Sequence, residues 1–314
     1  MIEKVAEELS ISSYRKIPTL SVSHRNNNNK NDASWLDRKA TSSLLDDGQS
    51  TAQVNPYELT TKLLDFAIQS GYAELMIGNA QGVMIENGKI SGVKVNGSII
   101  PCSKLCVCAG PWSGPMIYDW FKISIPMDGI KSTSLVYNNM LEIKNEPFAL
   151  FCDDDVYETH LELYPRPNGD LYICGIGGSD YVRGDRLREG GDCASADLIL
   201  ADPKRIEAAR NSFKSMSSLG EKYSPDITQA CMRPCTSDSL PAMGKLNIEG
   251  AYVSTGHNCW GILWSSISGL AMSELIVDGQ SKEIDLLPFD PCRFMAKATN
   301  RGKKVGLQDI GEQW

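Results

Sequence analysis

The sequence lacks an excess of basic residues, and it lacks long apolar runs. Its 314 residues include 31 Lys and Arg against 39 Asp and Glu, which gives a formal net charge of −8. Nucleic acid is bound by basic surfaces, so this acidic balance argues against nucleic acid as a partner. No apolar stretch in the sequence approaches the roughly 18 residues that a membrane helix needs. We therefore expect no nucleic-acid binding and no membrane span.

A compact cysteine framework is missing, and so is a leader peptide of the usual composition. The 10 cysteines are scattered along a chain of ordinary size, which indicates reduced thiols. The N-terminus "MIEKVAEELSISSYRK" is typical neither of a secretory signal nor of a transit peptide, and we expect a cytoplasmic location. Cys102, Cys106 and Cys108, like Cys231 and Cys235, lack the paired C-x2-C spacing of structural zinc sites, so we expect no metal.

Two segments carry clear helix signals. In "STAQVNPYELTTKLLDFAIQSGY", Asn55 can cap the helix, Glu58 stands where a capping-box carboxylate would, and Gly71 ends the helix. The apolar face expected of this helix comprises Leu59, Leu63, Phe66 and Ala67. In "DPKRIEAARNSFKSMSSLG", Asp202 is the expected cap and Pro203 the first helical residue.

Between these segments the pattern is that of β-structure. Asn-Gly pairs at 87–88 and 96–97 separate short β-rich runs, which predicts a three-stranded meander over about 82–102. The apolar run "KLCVCA" (104–109) predicts a fully buried strand. Near the C-terminus, the strand "GAYVSTG" leads through a turn between Gly256 and Gly261 into a last long helix. The residues expected to face inward on that helix are Ile267, Leu270, Ala271 and Ile276, with Gly269 allowing close packing.

Three stretches in this order resemble the D-amino-acid oxidase and glycine/sarcosine oxidase family of FAD-dependent amine oxidoreductases. "CVCAGPWSGP" matches a strand that ends in Ala-Gly-x-Trp. "RPCTSDSLPAMG" (233–244) matches Arg-Pro-x-x-x-Asp-x-x-Pro-x-x-Gly, and "GHNCWGI" (256–262) matches Gly-His-x-x-x-Gly-Ile before the last long helix. The resemblance covers about residues 50 to 280.

The resemblance implies an α/β (α+β) fold with two domains that interleave along the sequence. A Rossmann-like FAD-binding domain with a β-meander would comprise residues 51–118 and 245–290. A substrate domain built on an antiparallel sheet would comprise residues 1–50 and 119–244, and residues 291–314 would form a basic tail. The expected cofactor is FAD, and the expected partners are a small amine or amino acid and dioxygen or another electron acceptor.

The resemblance also implies roles for individual residues. Helix-start N–H groups point at electron-rich groups, so the turn into the last helix would face the pyrimidine end of the flavin ring. Arg233 would anchor a substrate carboxylate through its planar fork, and His257 is a second catalytic candidate. Tyr164, Arg166 and Tyr172 are weaker candidates for the same cavity. The residues expected to bind the cofactor are Gly110, Trp112, Gly256, His257, Asn258, Cys259, Trp260, Gly261 and Ile262.

The phosphate-binding fingerprint of that family is absent from this sequence. No Gly-x-Gly-x-x-Gly, the turn that holds the FAD pyrophosphate, occurs anywhere in the 314 residues. We interpret the chain as a truncated form that lacks the N-terminal βαβ unit. Such a form would bind FAD weakly or not at all, and it would then be inactive as an enzyme.

Three functions stay open at the level of sequence. The first is oxidation of the C–N bond of a small amino acid or secondary amine by hydride transfer to flavin. The second is FAD-dependent 2-hydroxy-acid dehydrogenation, whose substrate also carries a carboxylate. The third is a non-catalytic protein that keeps the antiparallel sheet as a binding or regulatory surface, which the missing fingerprint favours.

Overall fold

The computed structural model describes residues 1–24 and 31–295. Most of the predicted basic tail, from residue 296 onward, lies outside the described residues. The helices are α1 Ile2–Glu8, α2 Pro56–Gln69, α3 Ser113–Phe121, α4 Leu141–Asn145, α5 Pro203–Met216, α6 Leu219–Lys222 and α7 Gly261–Asp278. Short 3-10 turns cover Gly110–Trp112, Ala196–Leu198, Asn258–Trp260, Leu287–Phe289 and Pro291–Phe294.

The strands assemble into one large sheet, two small three-stranded sheets and a two-stranded pair. Their bounds are β1 Arg15–Lys16, β2 Thr19–Ser23, β3 Thr41–Asp46, β4 Ala52–Gln53, β5 Ala80–Glu86, β6 Lys89–Val95, β7 Ser98–Pro101, β8 Leu105–Val107, β9 Met127–Tyr137, β10 Ala149–Cys152, β11 Glu162–Pro165, β12 Leu171–Cys174, β13 Asp180–Val182, β14 Ile227–Thr236, β15 Ala242–Lys245 and β16 Ala251–Thr255.

The large sheet runs in the order β13-β9-β12-β11-β10-β2-β3, and β14 pairs with the other edge of β9. Its pairs are antiparallel except β10 with β2. Side chains alternate between the two faces of a sheet, and here one face is apolar. Its core includes Leu20, Leu135, Leu150, Leu163 and Ile173.

Helix α5 covers this apolar face. Phe213 and Tyr137 meet edge to face with ring centroids 5.5 Å apart. Phe213, Ala209 and Met216 are buried, and their spacing of three to four residues places them on one side of the helix. The opposite face of the sheet carries polar and aromatic side chains, described below with the candidate site. The predicted antiparallel sheet is therefore confirmed. Among the described residues α5 covers one of its faces, and the opposite face is the one considered below for a ligand.

The first turn of α5 supports a test of the helix signals in the sequence. Asp202 accepts a hydrogen bond from the Lys204 backbone N–H at 2.8 Å. Asp202→Ala should lower the free energy of unfolding by about 1 kcal/mol, because the first turn of the helix loses its cap. Urea unfolding followed by circular dichroism measures this change. Glu189→Ala, at an exposed position, is the control, and an equal loss in both variants would contradict the capping role.

The predicted meander is confirmed as the sheet β5-β6-β7. Asn87 and Gly88 have φ values of 52° and 78°, and Asn96 and Gly97 have 49° and 82°. Two consecutive positive φ values are what the two-residue hairpin turns with Asn-Gly require. The local turn chemistry therefore determined both hairpins.

The third sheet runs in the order β15-β16-β8, with β16 and β8 parallel and β15 antiparallel to β16. The expectation of a fully buried strand at 104–109 is wrong. Among the described residues β8 is the outer strand, so Val107 is buried whereas Leu105 and Cys106 are half-buried and Cys108 is exposed. In an outer strand, only the side chains that face a packed element are shielded from solvent.

Helix α2 differs from the prediction in the partners of its side chains. Asn55 caps it, accepting from the Tyr57 N–H at 3.0 Å, and Gly71 follows its end with a φ of 74°. Glu58 does not complete a capping box, because its carboxylate accepts the N–H groups of Ser12 and Ser13 at 2.8 Å. Leu59 is buried against α1, whereas Leu63 and Phe66 are exposed, so the apolar face is mostly uncovered.

Helix α7 also corrects the prediction. Its buried residues are Ser268, Ala271, Met272 and Leu275, so of the predicted inward residues Ala271 is buried while Leu270 is exposed. Apart from its two chain neighbours and the nearby backbone of α7, no described atom lies within 4 Å of the position that a Cβ on Gly269 would take. That glycine therefore does not serve close packing here.

The same helix contradicts the expectation that no stretch is apolar enough for a membrane. The 21 residues Asn258–Asp278, which join a 3-10 turn to α7, are long and apolar enough to cross a membrane by length and composition only. One side of this helix packs on the third sheet through Met272 and Leu275, next to Met243 and Tyr252. A helix in the core of a soluble protein passes the same two criteria, so they do not assign it to a membrane.

Candidate active site

The carboxyl ends of β8 and β16 lie side by side. The two strands are parallel, with Val253 opposite Val107. Gly256 directly follows β16, and Gly110 lies three residues after the end of β8. The Thr255 hydroxyl at the end of β16 donates to the Gly110 carbonyl at 2.9 Å. Ligands of open parallel sheets bind at the carboxyl ends of the strands. The two glycine turns that the sequence singled out therefore meet at the edge where a ligand is expected.

The turn after β16 needs glycine at its first position. Gly256 has a φ of 82°, and a Cβ there would lie 2.8 Å from the Thr236 Cγ2. Within the described part of the chain, no side chain caps α7, which begins at Gly261. The first N–H groups of a helix have no partner inside the helix and favour negative charge. The start of α7 can therefore donate to an electron-rich ligand, and Ile262, the second residue of the helix, is exposed there.

His257 is tied to the helix that it precedes. Its Nε2 lies 3.0 Å from the Ser268 Oγ, and burial lowers the pKa of His257 below its ordinary value. The ring is therefore neutral at pH 7. A neutral imidazole hydrogen-bonded to Ser268 can position the turn. The catalytic role expected of His257 stays a prediction.

The three residues after His257 form a 3-10 turn and differ in their surroundings. Asn258 has a left-handed φ of 48°, and among the described residues no group hydrogen-bonds to its buried Oδ1. The Trp260 ring stacks on the Trp264 ring at a centroid distance of 5.7 Å, while Cys259 is exposed. The turn thus offers an unused acceptor and an aromatic surface beside the start of α7.

Arg233 lies close to this turn, although 24 positions separate it from His257 in the sequence. An antiparallel bridge pairs Cys235, at the end of β14, with His257. Arg233 is two residues before Cys235 and therefore projects from the same face of β14, at a spacing of roughly 7 Å along the strand. It is half-buried, and its Nη2 donates to the Ser132 Oγ at 3.4 Å. The guanidinium of Arg233 and the start of α7 thus border the same region of the molecule.

The structure places Gly110 and Trp112 in different surroundings. Gly110 borders the turn of α7 through its carbonyl, as described above. The Trp112 indole Nε1 donates to the Cys193 carbonyl at 3.0 Å, and its ring packs beside the buried Val182 and Leu187. Its indole therefore supports the loop around Cys193, and its predicted contact with the cofactor stays a prediction.

The polar face of the large sheet continues the region around Arg233. Glu162 accepts the Tyr164 hydroxyl at 2.5 Å and the Cys174 thiol at 3.6 Å, and Glu162 and Cys174 stand opposite each other in the sheet. Tyr172 stacks on Tyr164 with ring centroids 6.4 Å apart. Residues with no assigned role in the sequence, Glu162 and Cys174, thus lie on the face that carries Arg233.

Sequence reasoning missed Glu162 although a signal existed. In "LELYPRP", Glu162 and Tyr164 alternate with buried Leu161 and Leu163, which places the carboxylate and the phenol on one face of a strand. A charged residue in the middle of such an alternation marks the face that is not core. Arg166 lies over the Tyr172 ring, 5.5 Å from its centroid, so it too belongs to this face.

The thiols of this region stay protonated. Burial raises the pKa of Cys235 to about 11, with Arg233 opposing the shift. Burial also raises the pKa of Cys174 well above its ordinary value, Glu162 adds to the increase and Arg233 opposes it. A thiolate is the nucleophilic form of cysteine. These two cysteines are therefore poor nucleophiles, and the site is suited to binding and positioning a ligand.

The residues present fit one end of a flavin and not the other. The uncapped start of α7 supplies donors and the Asn258 Oδ1 supplies an acceptor, and the pyrimidine end of an isoalloxazine ring offers both carbonyls and an N–H. For the pyrophosphate, the sequence contains no Gly-x-Gly-x-x-Gly turn. The chain therefore holds groups for the ring and lacks the family's phosphate fingerprint.

A family model described as "DAO: FAD dependent oxidoreductase" matches residues 12–275. The chain belongs to this family. It is 25% identical over 244 residues to the hydrogen cyanide synthase subunit HcnC of Pseudomonas protegens, an alignment that covers 77% of this chain and 53% of HcnC. The chain spans about half the length of the curated relatives it matches.

Solved structures of the family share the fold. L-proline dehydrogenase from P. horikoshii superposes with a TM-score of 0.70 at 18% identity, covering 94% of this chain and 80% of that chain. Glycine oxidase from Geobacillus kaustophilus gives a TM-score of 0.69 at 15% identity, covering 96% of this chain and 80% of that chain. The predicted fold class, the family resemblance and the FAD dependence of the family are thereby confirmed. The domain boundaries and the roles of single residues stay predictions.

Proposed function

We propose that this chain is the substrate-binding part of a FAD-dependent oxidoreductase that oxidises the C–N bond of a small amino acid or secondary amine. The observation that carries the proposal is the bridge between Cys235 and His257. It brings Arg233, a carboxylate anchor by its chemistry, next to the helix start that suits a flavin ring. A substrate held by its carboxylate at Arg233 would thus lie beside the ring.

A second charge on the same face points to an amino acid. Glu162 on β11 and Ser132 on β9 belong to strands separated only by β12, a distance of roughly 10 Å at ordinary strand spacing. The guanidinium of Arg233 reaches Ser132, and the carboxylate of Glu162 lies at Cys174. Both charges act on the Cys174 thiol. An α-amino acid carries the two complementary charges close together, so it can bridge Arg233 and Glu162.

In the proposed reaction the protein mainly binds and orients. Bound FAD would supply the acceptor for the hydride that leaves the substrate Cα. Arg233 would fix the carboxylate, and Glu162 would hold the amino group and take up the proton that it must lose before oxidation. The aromatic rings of Tyr164 and Tyr172 would exclude water on the same face, which strengthens both charge contacts. Dioxygen or another acceptor would then take the electrons.

The alternative substrate class, 2-hydroxy acids, is less well served by this arrangement. A hydroxyl group carries no positive charge, so it leaves the Glu162 carboxylate without an ionic partner in the complex. Leaving a half-buried charge unpaired costs more than leaving a neutral group unpaired. The alternative of a non-catalytic binding protein makes the same use of Arg233 and Glu162 without requiring electron transfer.

The proposal predicts which compounds reduce the flavin. With the chain saturated in excess FAD and free of oxygen, amino acids should bleach the flavin band near 450 nm, and matched 2-hydroxy acids should do so much more slowly. Glu162→Gln should lower kcat/KM for amino acids by roughly 10-fold to 100-fold, since one charge-assisted hydrogen bond is lost.

The control is Glu249→Gln, which removes an exposed carboxylate that pairs with Lys89 at 2.8 Å, on the meander and not on the large sheet. Flavin reduction by hydroxy acids but not by amino acids would replace the proposal with the dehydrogenase alternative. Absence of reduction by both classes, in a chain that circular dichroism shows to be folded and that still binds amino acids, would favour the non-catalytic alternative.

A further inference from the structure

Two cysteines at the carboxyl end of β8, beside the candidate active site, approach each other: Cys106 lies within the strand and Cys108 one residue beyond it. Cys106 and Cys108 are two positions apart, so their side chains project from the same face of the strand. Their Sγ atoms are 3.5 Å apart. Cys108 is exposed and Cys106 is half-buried, next to the cluster of Met243, Tyr252 and Met272. The pair thus combines an accessible thiol with a second thiol already in contact.

We propose that Cys106 and Cys108 form a dithiol that a peroxide oxidises to an intramolecular disulfide. In the first step the Cys108 sulfur attacks one oxygen of hydrogen peroxide and the O–O bond breaks. The departing hydroxide takes the thiol proton, so a sulfenic acid and one water form. In the second step the Cys106 sulfur attacks the sulfenic sulfur, the S–S bond forms, and hydroxide leaves and takes the Cys106 proton as water. The two thiols lose two electrons and one molecule of peroxide gains them.

The charge environment supports Cys108 as the attacking thiol. A hydrogen bond from the Cys106 thiol lowers the pKa of Cys108 to about 7, and the backbone of Ser254 adds a further hydrogen bond. Protein atoms around the partly exposed sulfur oppose this shift by desolvation. The same hydrogen bond raises the pKa of Cys106, because the Cys106 thiol is the donor, and burial raises it further. Cys108 therefore carries a larger thiolate fraction near pH 7 than an ordinary thiol, of which only a few per cent is ionised.

The backbone geometry permits the bond. Residues two apart in a strand have Cα atoms about 6.6 Å apart, within the roughly 4.4–6.8 Å that disulfides span. Cys108 lies one residue beyond the end of β8, where no ladder fixes its backbone as firmly. Rotation of the two side chains must then bring the sulfur atoms from 3.5 Å to the bonded distance of about 2.05 Å.

Two other exposed thiols provide an internal comparison. Cys231 and Cys259 are also exposed, and desolvation of the Cys231 sulfur by the surrounding protein atoms raises the pKa of that thiol above its ordinary value. A reaction governed only by exposure would modify these thiols as fast as Cys108. A reaction governed by the thiol pair would select Cys108.

The test is peroxide treatment of the whole chain near pH 7, followed by thiol alkylation and peptide mass spectrometry. We expect the peptide with both cysteines to lose two hydrogen atoms and to escape alkylation, at least roughly 10-fold faster than Cys231 or Cys259 is oxidised, and to recover both thiols after treatment with a reductant. In Cys106→Ser, a 1,3-dione probe for sulfenic acid should label Cys108. In Cys108→Ser, Cys106 should stay unlabelled under the same conditions.

Cys231→Ser is the matched control and should leave the disulfide unchanged. Oxidation of Cys108 at the rate of Cys259 would overturn the proposal, as would a stable sulfenic acid in the unsubstituted chain or disulfides only between chains. None of these outcomes depends on FAD or on an amino acid, so the result is independent of the proposed function.

Discussion

Replacing Arg233 by leucine is expected to lower kcat/KM for amino acids by roughly 10²- to 10³-fold. The guanidinium can give a carboxylate two parallel charge-assisted hydrogen bonds, and their loss costs about 3–4 kcal/mol. Arg233→Lys keeps the charge but not the planar fork, so we expect a loss of roughly 10-fold. The measurements are steady-state kinetics in excess FAD and calorimetric binding of a simple carboxylate such as benzoate, which needs no turnover.

The control is Arg210→Leu. Arg210 lies on α5, pairs with Glu207 at 3.4 Å, and covers the opposite face of the large sheet. Arg210→Leu should leave kcat/KM and the affinity for benzoate within about two-fold of the unsubstituted chain. An amine without a carboxylate should lose little activity in Arg233→Leu, because it makes no contact with the guanidinium. Equal losses for substrates with and without a carboxylate would show that Arg233 has a structural role and is not the anchor.

Local chemistry was sufficient to predict several elements of this fold. Each Asn-Gly pair adopts two positive φ values inside a four-residue turn. The caps Asn55 and Asp202 accept hydrogen bonds from N–H groups two positions further along the chain. Such signals are complete within a short window of sequence, because the atoms that decide the geometry are neighbours along the chain. The meander, α2 and α5 were accordingly found from the residues alone.

The sequence could not predict which other element packs against each strand or helix. The apolar runs of β8 and α7 predict burial, but Cys108 and Leu270 are exposed, since periodicity does not say which other element covers a face. Glu58 likewise accepts from Ser12 and Ser13, more than 40 positions away, instead of from its own helix. Tertiary partners decided these three cases.

The candidate site was predicted in part: its motifs were visible in the sequence, but their contacts were not. The Gly-His turn and the Arg-Pro segment were found as separate motifs, and only the family resemblance suggested that they meet. The bridge from Cys235 to His257 is a long-range pairing that neither segment encodes. Glu162 was readable from the alternation of its strand, but its relation to Arg233 depends on the order of β11, β12 and β9 in the sheet.

The 314-residue chain is expected to bind FAD roughly 10³- to 10⁴-fold more weakly than a family member that carries the Gly-x-Gly-x-x-Gly turn. That turn gives the pyrophosphate two or three charge-assisted hydrogen bonds, together about 5 kcal/mol, and this sequence does not contain it. In the proposed site, the groups at Asn258 and Gly261 would face the flavin ring and not a phosphate. The chain should therefore bind riboflavin, which has no phosphate, about as tightly as FAD.

Titration of flavin fluorescence with the chain measures both affinities, and desalting after saturation with FAD gives the fraction retained. We expect Kd values for riboflavin, FMN and FAD within about 10-fold of one another and a colourless protein after desalting. Asn258→Ala, which removes the buried acceptor of the turn, should weaken all three flavins equally, because they share the ring. FAD held more than about 100-fold tighter than riboflavin, or a yellow protein with one flavin per chain, would mean that other residues of this chain bind the phosphates.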